Sequence, residues 1–238
     1  MYGHAQRTGT RQHQCDATAT AAERGVRAWA LLDGIGDRHG VRTWVRHNAR
    51  LLARVAAQTN NPEAAIAAVR ATTEYDGHED DRQQPPDAVA IVAVQAEGSE
   101  LHLAWCGDAR AYWRPQNHRA LSDDGALQQL THDHNEAERC RAEGDTDFPW
   151  YFRNYVTSSL RCYGETFGEV GTVRVHGHGR LLLCSDGVYS PFEDNDADLA
   201  AALTPTDPRQ TATTLVRRAT AFPAERKDNA TALVADFT

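Results

Sequence analysis

Nowhere in this chain does an apolar run approach the ~18 residues that a membrane-spanning helix requires. The opening MYGHAQRTGT also lacks the apolar stretch that an export signal needs. No membrane association is expected, and the cytoplasm is the expected compartment. A basic stripe is missing too: 25 lysines and arginines face 33 aspartates and glutamates, for a net charge of −8. Nucleic-acid backbones demand clustered positive charge, so nucleic acid is excluded as a partner class. The five cysteines (Cys15, Cys106, Cys140, Cys162, Cys184) are odd in number and show no CxxC spacing. Reduced thiols fit that pattern better than a disulfide framework or a zinc knuckle. Repeats and low-complexity tracts are absent.

What remains is an ordinary globular composition, 41% hydrophobic and 24% charged over 238 residues, which fits a single domain spanning 1–238. Residues 26–32 form a short apolar run stopped by Asp33-Gly34, the pattern of a buried strand. Apolar residues at helical spacing predict a helix over 40–58. Asn61-Pro62-Glu63 then opens a second helix towards Tyr75 through an asparagine cap and a proline at its first position. The polar, proline-bearing stretch 76–87 reads as a surface loop. Strands are expected at 88–94, 101–106, 109–114, 168–175, 180–184 and 231–237, with a hairpin turn at Glu97-Gly98. Helices are expected at 197–203 and 208–222. The polar stretch 136–149 reads as a mobile insertion. The order gives an α+β layout with helices packed outside antiparallel strands.

Four aspartates share one local grammar, an apolar strand with a carboxylate at its end. They are Asp33 in ALLDG, Asp108 in LAWCGD, Asp186 in LLLCSDG and Asp228 in the KDN turn before the last strand. Hard divalent cations such as Mg²⁺ and Mn²⁺ choose oxygen ligands of this kind. Without a cation, clustered carboxylates repel one another and raise their own pKa values. Each piece alone has a plainer reading: Asp-Gly is a common turn, and Asp108 could pair with Arg110. His132 and His134 in THDH have zinc-like spacing, but no cysteine or carboxylate stands at a matching distance. Solvent exposure is the expected fate of both.

Taken in order, the pieces resemble a known family, the metal-dependent protein phosphatases of type 2C, particularly the compact bacterial ones. The resemblance spans roughly residues 9 to 236. It rests on RQHQCDA (11–17), LLDGIGD (31–37), LAWCGDARAYW (103–113), QLTHDH (129–134), RNYVTSSL (153–160), LLLCSDGV (181–188) and KDNATALV (227–234). GDARAY and LLLCSDG are its most specific parts.

The resemblance implies a four-layer α-β-β-α sandwich, two antiparallel sheets flanked by helices, with a binuclear centre at one end. It implies a signalling hydrolase that removes phosphate from phosphoserine and phosphothreonine on proteins, using a hydroxide bridging two Mn²⁺ or Mg²⁺ ions. Phosphorylated proteins would be its substrates, a serine/threonine kinase its counterpart, and the monomer its working form. Asp33 matches the aspartate that bridges both metals, and Gly34 the glycine whose carbonyl binds one of them. Asp186 and Asp228 match the remaining ligands of the first metal. Asp108 matches the residue that, with Asp186, holds a third, weaker ion. Arg11 matches the arginine that grips the substrate phosphate, and Asp16 the second acid of the RxxNED motif. Arg11 and Asp33 are therefore the catalytic candidates.

The chain departs from the pattern at several points. Cys15 stands where the motif has glutamate, and Gln14 where it has asparagine. The glutamate contributes to the second metal, so that ion is expected to bind weakly, and a carboxylate restored at position 15 to tighten it. DGxGG reads DGIGD. The extra Asp37 is either a substitute carboxylate or, preferably, an exposed acid starting the next helix. Ile35 stands where some eukaryotic members carry a histidine acid. Pro85-Pro86-Asp87-Ala88 replaces the usual glycine-threonine lead-in. Two alternatives stay open: a degenerate member acting as a regulatory or binding module, and a phosphatase for anti-anti-sigma factors.

Overall fold

The computed structural model describes residues 1–73, 85–96, 98, 100–116, 126–161, 168–203 and 207–237. Two antiparallel sheets lie face to face. One has the order β1 (Tyr2–Arg7), β10 (Ala230–Phe237), β9 (Gly179–Cys184), β6 (Arg110–Pro115) and β7 (Gln128–Gln129). The other runs β2 (Ala17–Glu23), β3 (Val26–Gly34), β4 (Ala88–Ala96), β5 (Leu101–Cys106) and β8 (Gly171–Val175). Helices α1 (His39–Thr59) and α2 (Pro62–Ala71) cover the second sheet, and α4 (Asp186–Asp194), the short α5 (Leu199–Ala202) and α6 (Pro208–Ala221) cover the first. The result is the four-layer α+β sandwich.

The layering follows from strand periodicity. In β4, Ala88, Ala90, Val92 and Val94 meet the helices, while Val89, Ile91 and Ala93 point between the sheets. Successive side chains of a strand face opposite ways, so an unbroken apolar run needs an apolar layer on each side. β9 obeys the same rule: Leu181 and Leu183 fill the inter-sheet core, and Leu182 meets α4 and α6. Each fully buried leucine of this kind contributes ~1.5–3 kcal/mol. α1 supplies Val41, Val45, Leu52 and Ala56, at three-to-four spacing, to the opposite outer core. α2 starts as its sequence says, with the Asn61 side chain accepting from the Ala64 amide at 2.9 Å and Pro62 at the first position.

Several boundaries differ from the sequence reading. Strands β1 and β2 and helix α4 were not expected. The first two are rich in Ala, Thr, Gln and His, and α4 follows its strand without a linker and contains Pro191. The stretch 136–149 is not a shapeless insertion. It opens with α3 (Glu136–Ala142), capped by Asn135, whose side chain accepts from the Glu138 amide at 2.9 Å. A 3-10 helix, Trp150–Asn154, follows it. Glu97 of the expected hairpin turn and most of the loop 76–87 lie outside the described residues.

Candidate metal centre

The strand ends that carry the aspartates meet at one edge of the sandwich. Asp33 and Gly34 close β3, opposite Val89 and Ala88 of β4. The Ile35 amide donates to the Asp87 carbonyl at 2.9 Å, while the Asp87 carboxylate accepts from the Ala88 and Arg161 amides. The Pro-Pro-Asp-Ala lead-in therefore fixes the Asp33-Gly34 turn. Glycine is required at 34, because a Cβ there would stand 2.4 Å from the Cys15 carbonyl and 2.7 Å from Val41 Cγ1. Gly107 precedes Asp108 with φ +96°, and a Cβ would meet Val89 Cγ1 at 2.0 Å. No other residue lets that turn lie so close to β4.

Arg11, Asp33, Gly34, Asp108, Asp186 and Asp228 line one pocket of about 260 Å³, with Ile35, Asn154 and Val156 at its rim. Asp16 sits behind them, buried, accepting from Ser185 Oγ at 3.0 Å through one carboxylate oxygen. Its other oxygen, Oδ1, is buried with no hydrogen-bond partner among the described residues. Of the nominated residues, all but Asp16 line this pocket.

The electrostatics are those of crowded carboxylates. Burial, then Asp16, Asp186, Asp228 and Asp108, push the Asp33 pKa well above the usual range. Burial with Asp186 and Asp228 raises Asp16 to about 7; burial with Asp186 and Asp133 raises Asp108 to about 8; burial with Asp228 raises Asp186 to about 6. Such a set, with an orphaned buried oxygen and a glycine carbonyl alongside, fits hard divalent cations. One cation stands at the mouth of the pocket: Arg11 donates through Nη2 to Asp228 Oδ2 at 2.5 Å.

The loop that presents Arg11 is held at both ends. Thr10 and Lys227 exchange backbone and hydroxyl hydrogen bonds, and Asn229 donates to the carbonyls of Thr8 and His13. Asn229 also accepts from the Cys15 amide at 2.6 Å. Asp37 accepts from the amides of Gln12 and His13 at 2.8 and 2.7 Å. Those amides, Gln12 first, hold its pKa below the ordinary value. Asp37 is therefore not a helix-starting acid, since α1 begins at His39 with no acid in its first turn. It is the anchor of the arginine loop.

Cys15 does not face the pocket. Its side chain is 1% exposed, packs in the helix-side core and points its Sγ at the Arg38 carbonyl, 3.7 Å away. Arg110 does not pair with Asp108. It forks onto Asp133 at 2.9 Å through two nitrogens and also reaches Glu193. Ser185, Asn229 and Tyr189 were missed as supporting residues. Of these only Asn229, directly after Asp228, carried any signal in the sequence.

No family model matches the chain. A rice protein named probable protein phosphatase 2C 44 is 26% identical over 231 residues, 88% of this chain and 68% of that one. The serine/threonine phosphatase of S. agalactiae superposes with a TM-score of 0.78 at 18% identity, over 98% of each chain. The chain is thus similar in sequence to a type 2C protein phosphatase and shares the fold of solved serine/threonine phosphatases. A further structure, the catalytic domain of the serine/threonine protein phosphatase PstP, was solved with two manganese ions. It superposes at 0.69 with 22% identity, over 99% of this chain and 97% of that one. In this fold the carboxylate pocket occupies the edge where β3 and β9 end and β10 begins.

Proposed function

We propose that this protein is a metal-dependent phosphatase acting on phosphoserine and phosphothreonine in cytoplasmic proteins. The carrying observation is the convergence of Asp16, Asp33, Asp108, Asp186 and Asp228, where burial first and mutual repulsion second raise the pKa values of four of them. Asp33, the Gly34 carbonyl, Asp186 and Asp228 would hold paired Mn²⁺ or Mg²⁺, Asp108 with Asp186 a third ion, and Asp16 would act from behind. When bound, the ions supply a water acidic enough to attack phosphorus near neutral pH and neutralise the developing charge.

The protein's own groups do the rest. Arg11 offers a planar fork beside the carboxylates, suited to two phosphoryl oxygens. Asp37 and Asn229 fix that fork by holding its loop. Cysteine chemistry finds no support among the described residues: Cys15, Cys106, Cys140 and Cys184 are buried, and burial drives the Cys106 thiol up to about 11. Their free state fits a reducing compartment. No described helix is long and apolar enough to cross a membrane.

The test is phosphate release from a phosphothreonine peptide with Mn²⁺, with chelator, and with Asp186→Asn. Turnover should require metal and vanish in the variant while its fold persists. Turnover surviving chelation sinks the mechanism. A folded wild type that binds Mn²⁺ but never turns over would instead favour the regulatory-module reading.

A further inference from the structure

The THDH motif plays no part in the pocket just described; His132 is exposed as expected, but the structure overturns the expected exposure of His134. His134 is 4% exposed. A carboxylate does stand near the pair: Glu169, brought in by the pairing of β5 with β8, which sets Trp105 opposite Gly171. One donor atom from each of His132, His134 and Glu169 falls within 4.8 Å of the others. His132 Nε2 lies 3.8 Å from Glu169 Oε1.

The two imidazoles are held by Trp105. Its indole stacks on His134 at 5.9 Å between centroids and meets His132 edge-on at 5.2 Å. The Trp105 Nε1–H donates to the His132 carbonyl at 2.9 Å. The His134 Nε2 is buried and has no hydrogen-bond partner among the described residues. A buried polar atom normally has a partner, and this one sits in the same cluster as a second imidazole and a carboxylate.

We propose that His132, His134 and Glu169 form a binding site for a borderline transition-metal ion, with Zn²⁺ the fitting class. Two imidazole nitrogens and one carboxylate oxygen suit zinc and its neighbours, whereas Mg²⁺ prefers an all-oxygen set. The site shares no residue with the aspartate pocket and does not rest on the function proposed for that pocket. Zinc bonds of ~2.0–2.2 Å require the donors to close in from their present spacing. The half-exposed side chains of His132 and Glu169 can do this by rotation.

One exchange accompanies binding. The Gly107 amide donates to His134 Nδ1 at 3.3 Å, so the ring proton sits on Nε2. Coordination through Nε2 moves that proton to Nδ1, leaves the ring neutral, and gives up the long bond from Gly107. The His134 amide keeps its own bond to the Gly107 carbonyl at 3.0 Å. Metal at this site therefore reaches the turn that carries Asp108.

The experiment is Zn²⁺ titration by calorimetry on the chelator-treated full chain, with Co²⁺ absorption as a second readout. Wild type and Asp186→Asn should both show the histidine site. His132→Ala and Glu169→Gln, both at exposed side chains, should each lose it or weaken it at least tenfold while circular dichroism stays unchanged. Equal zinc stoichiometry and affinity in His132→Ala and wild type would overturn the proposal. So would loss of the signal in Asp186→Asn alone, which would assign the metal to the aspartates.

Discussion

The hydroxyl of Tyr189 donates a hydrogen bond to the backbone carbonyl of Asp108 at 2.9 Å. Tyr189 lies one helical turn beyond Asp186 on α4, so this bond ties the helix that starts with one candidate ligand to the turn that carries another. Arg110 lies over the Tyr189 ring, 3.8 Å from its centroid, and its own fork is fixed by Asp133. The two halves of the proposed third-ion site are thus clamped together by side chains that do not line the pocket.

Tyr189→Phe removes that bond and keeps the ring. It should cost about 0.5–1.5 kcal/mol of stability and raise the Mn²⁺ concentration needed for half-maximal occupancy. The turnover rate at saturating metal should hardly change. Arg110→Met is harsher, because it leaves Asp133 buried without its partner; breaking a buried pair costs ~3–5 kcal/mol. Thermal melts and Mn²⁺ calorimetry on both variants check this. An unchanged metal isotherm in Tyr189→Phe would reduce the clamp to packing.

The carboxylate cluster makes the metal-free chain sensitive to pH. In the folded chain Asp16, Asp108 and Asp186 titrate at about 7, 8 and 6, against an ordinary value of 3.8. Between 3.8 and about 8 the folded state therefore binds more protons than the unfolded state, and unfolding free energy falls as pH rises. Their contribution is complete below 3.8 and is lost as pH passes the folded values. Chelator-treated protein should melt at a lower temperature at pH 8 than at pH 5, and Mn²⁺ should restore more at pH 8. Asp186→Asn should flatten the metal-free slope. A melting temperature independent of pH across that interval would contradict the electrostatic account.

Arg11→Ala separates binding from folding. The Arg11–Asp228 pair is 41% and 39% exposed, and exposed pairs contribute only ~0–1 kcal/mol to stability. Phosphopeptide KM should rise roughly ten- to hundredfold, the equivalent of ~1.5–3 kcal/mol for a charge-assisted contact. The melting temperature and metal affinity should stay near wild type. A shifted metal titration with unchanged KM would move Arg11 out of the phosphate-binding role.

The strand-end aspartates were legible because each follows an apolar run that has to be buried, which leaves its terminal carboxylate at the sheet edge. Local grammar also predicted α2, through Asn61-Pro62. Asn135 followed by Glu138 carried the same kind of signal for α3, which the polar composition of 136–149 obscured. What stayed hidden depended on long-range pairing. Nothing in DGIGD says that two amides 24 and 25 residues earlier converge on Asp37. Likewise Glu169 comes near His132 only after β5 and β8 have paired. Cys15 shows the limit most clearly: adjacent residues 15 and 16 face opposite sides, and the sequence alone could not say which of them the pocket sees.

That placement reverses the expectation for position 15. The Cys15 side chain belongs to the helix-side core that also holds Ala17, Val41, Val45 and Leu160, and its backbone is fixed on both sides. Its amide is bound by Asn229, and its carbonyl would stand 2.4 Å from a Cβ on Gly34. A glutamate there cannot turn to the pocket without moving the Gly34 turn, so its carboxylate is left in apolar surroundings, where an unpaired charge is costly. Cys15→Glu should therefore lower the melting temperature and the soluble yield, and should leave the Mn²⁺ requirement of the surviving protein unchanged or higher. Cys15→Ser, close in size, should be milder and leave metal binding alone. Melting curves and Mn²⁺ calorimetry on the two variants, with reductant present, decide it. A Cys15→Glu protein as stable as wild type, with tighter Mn²⁺ binding, would mean that residue 15 does reach the metal centre and that the arginine loop refolds to allow it.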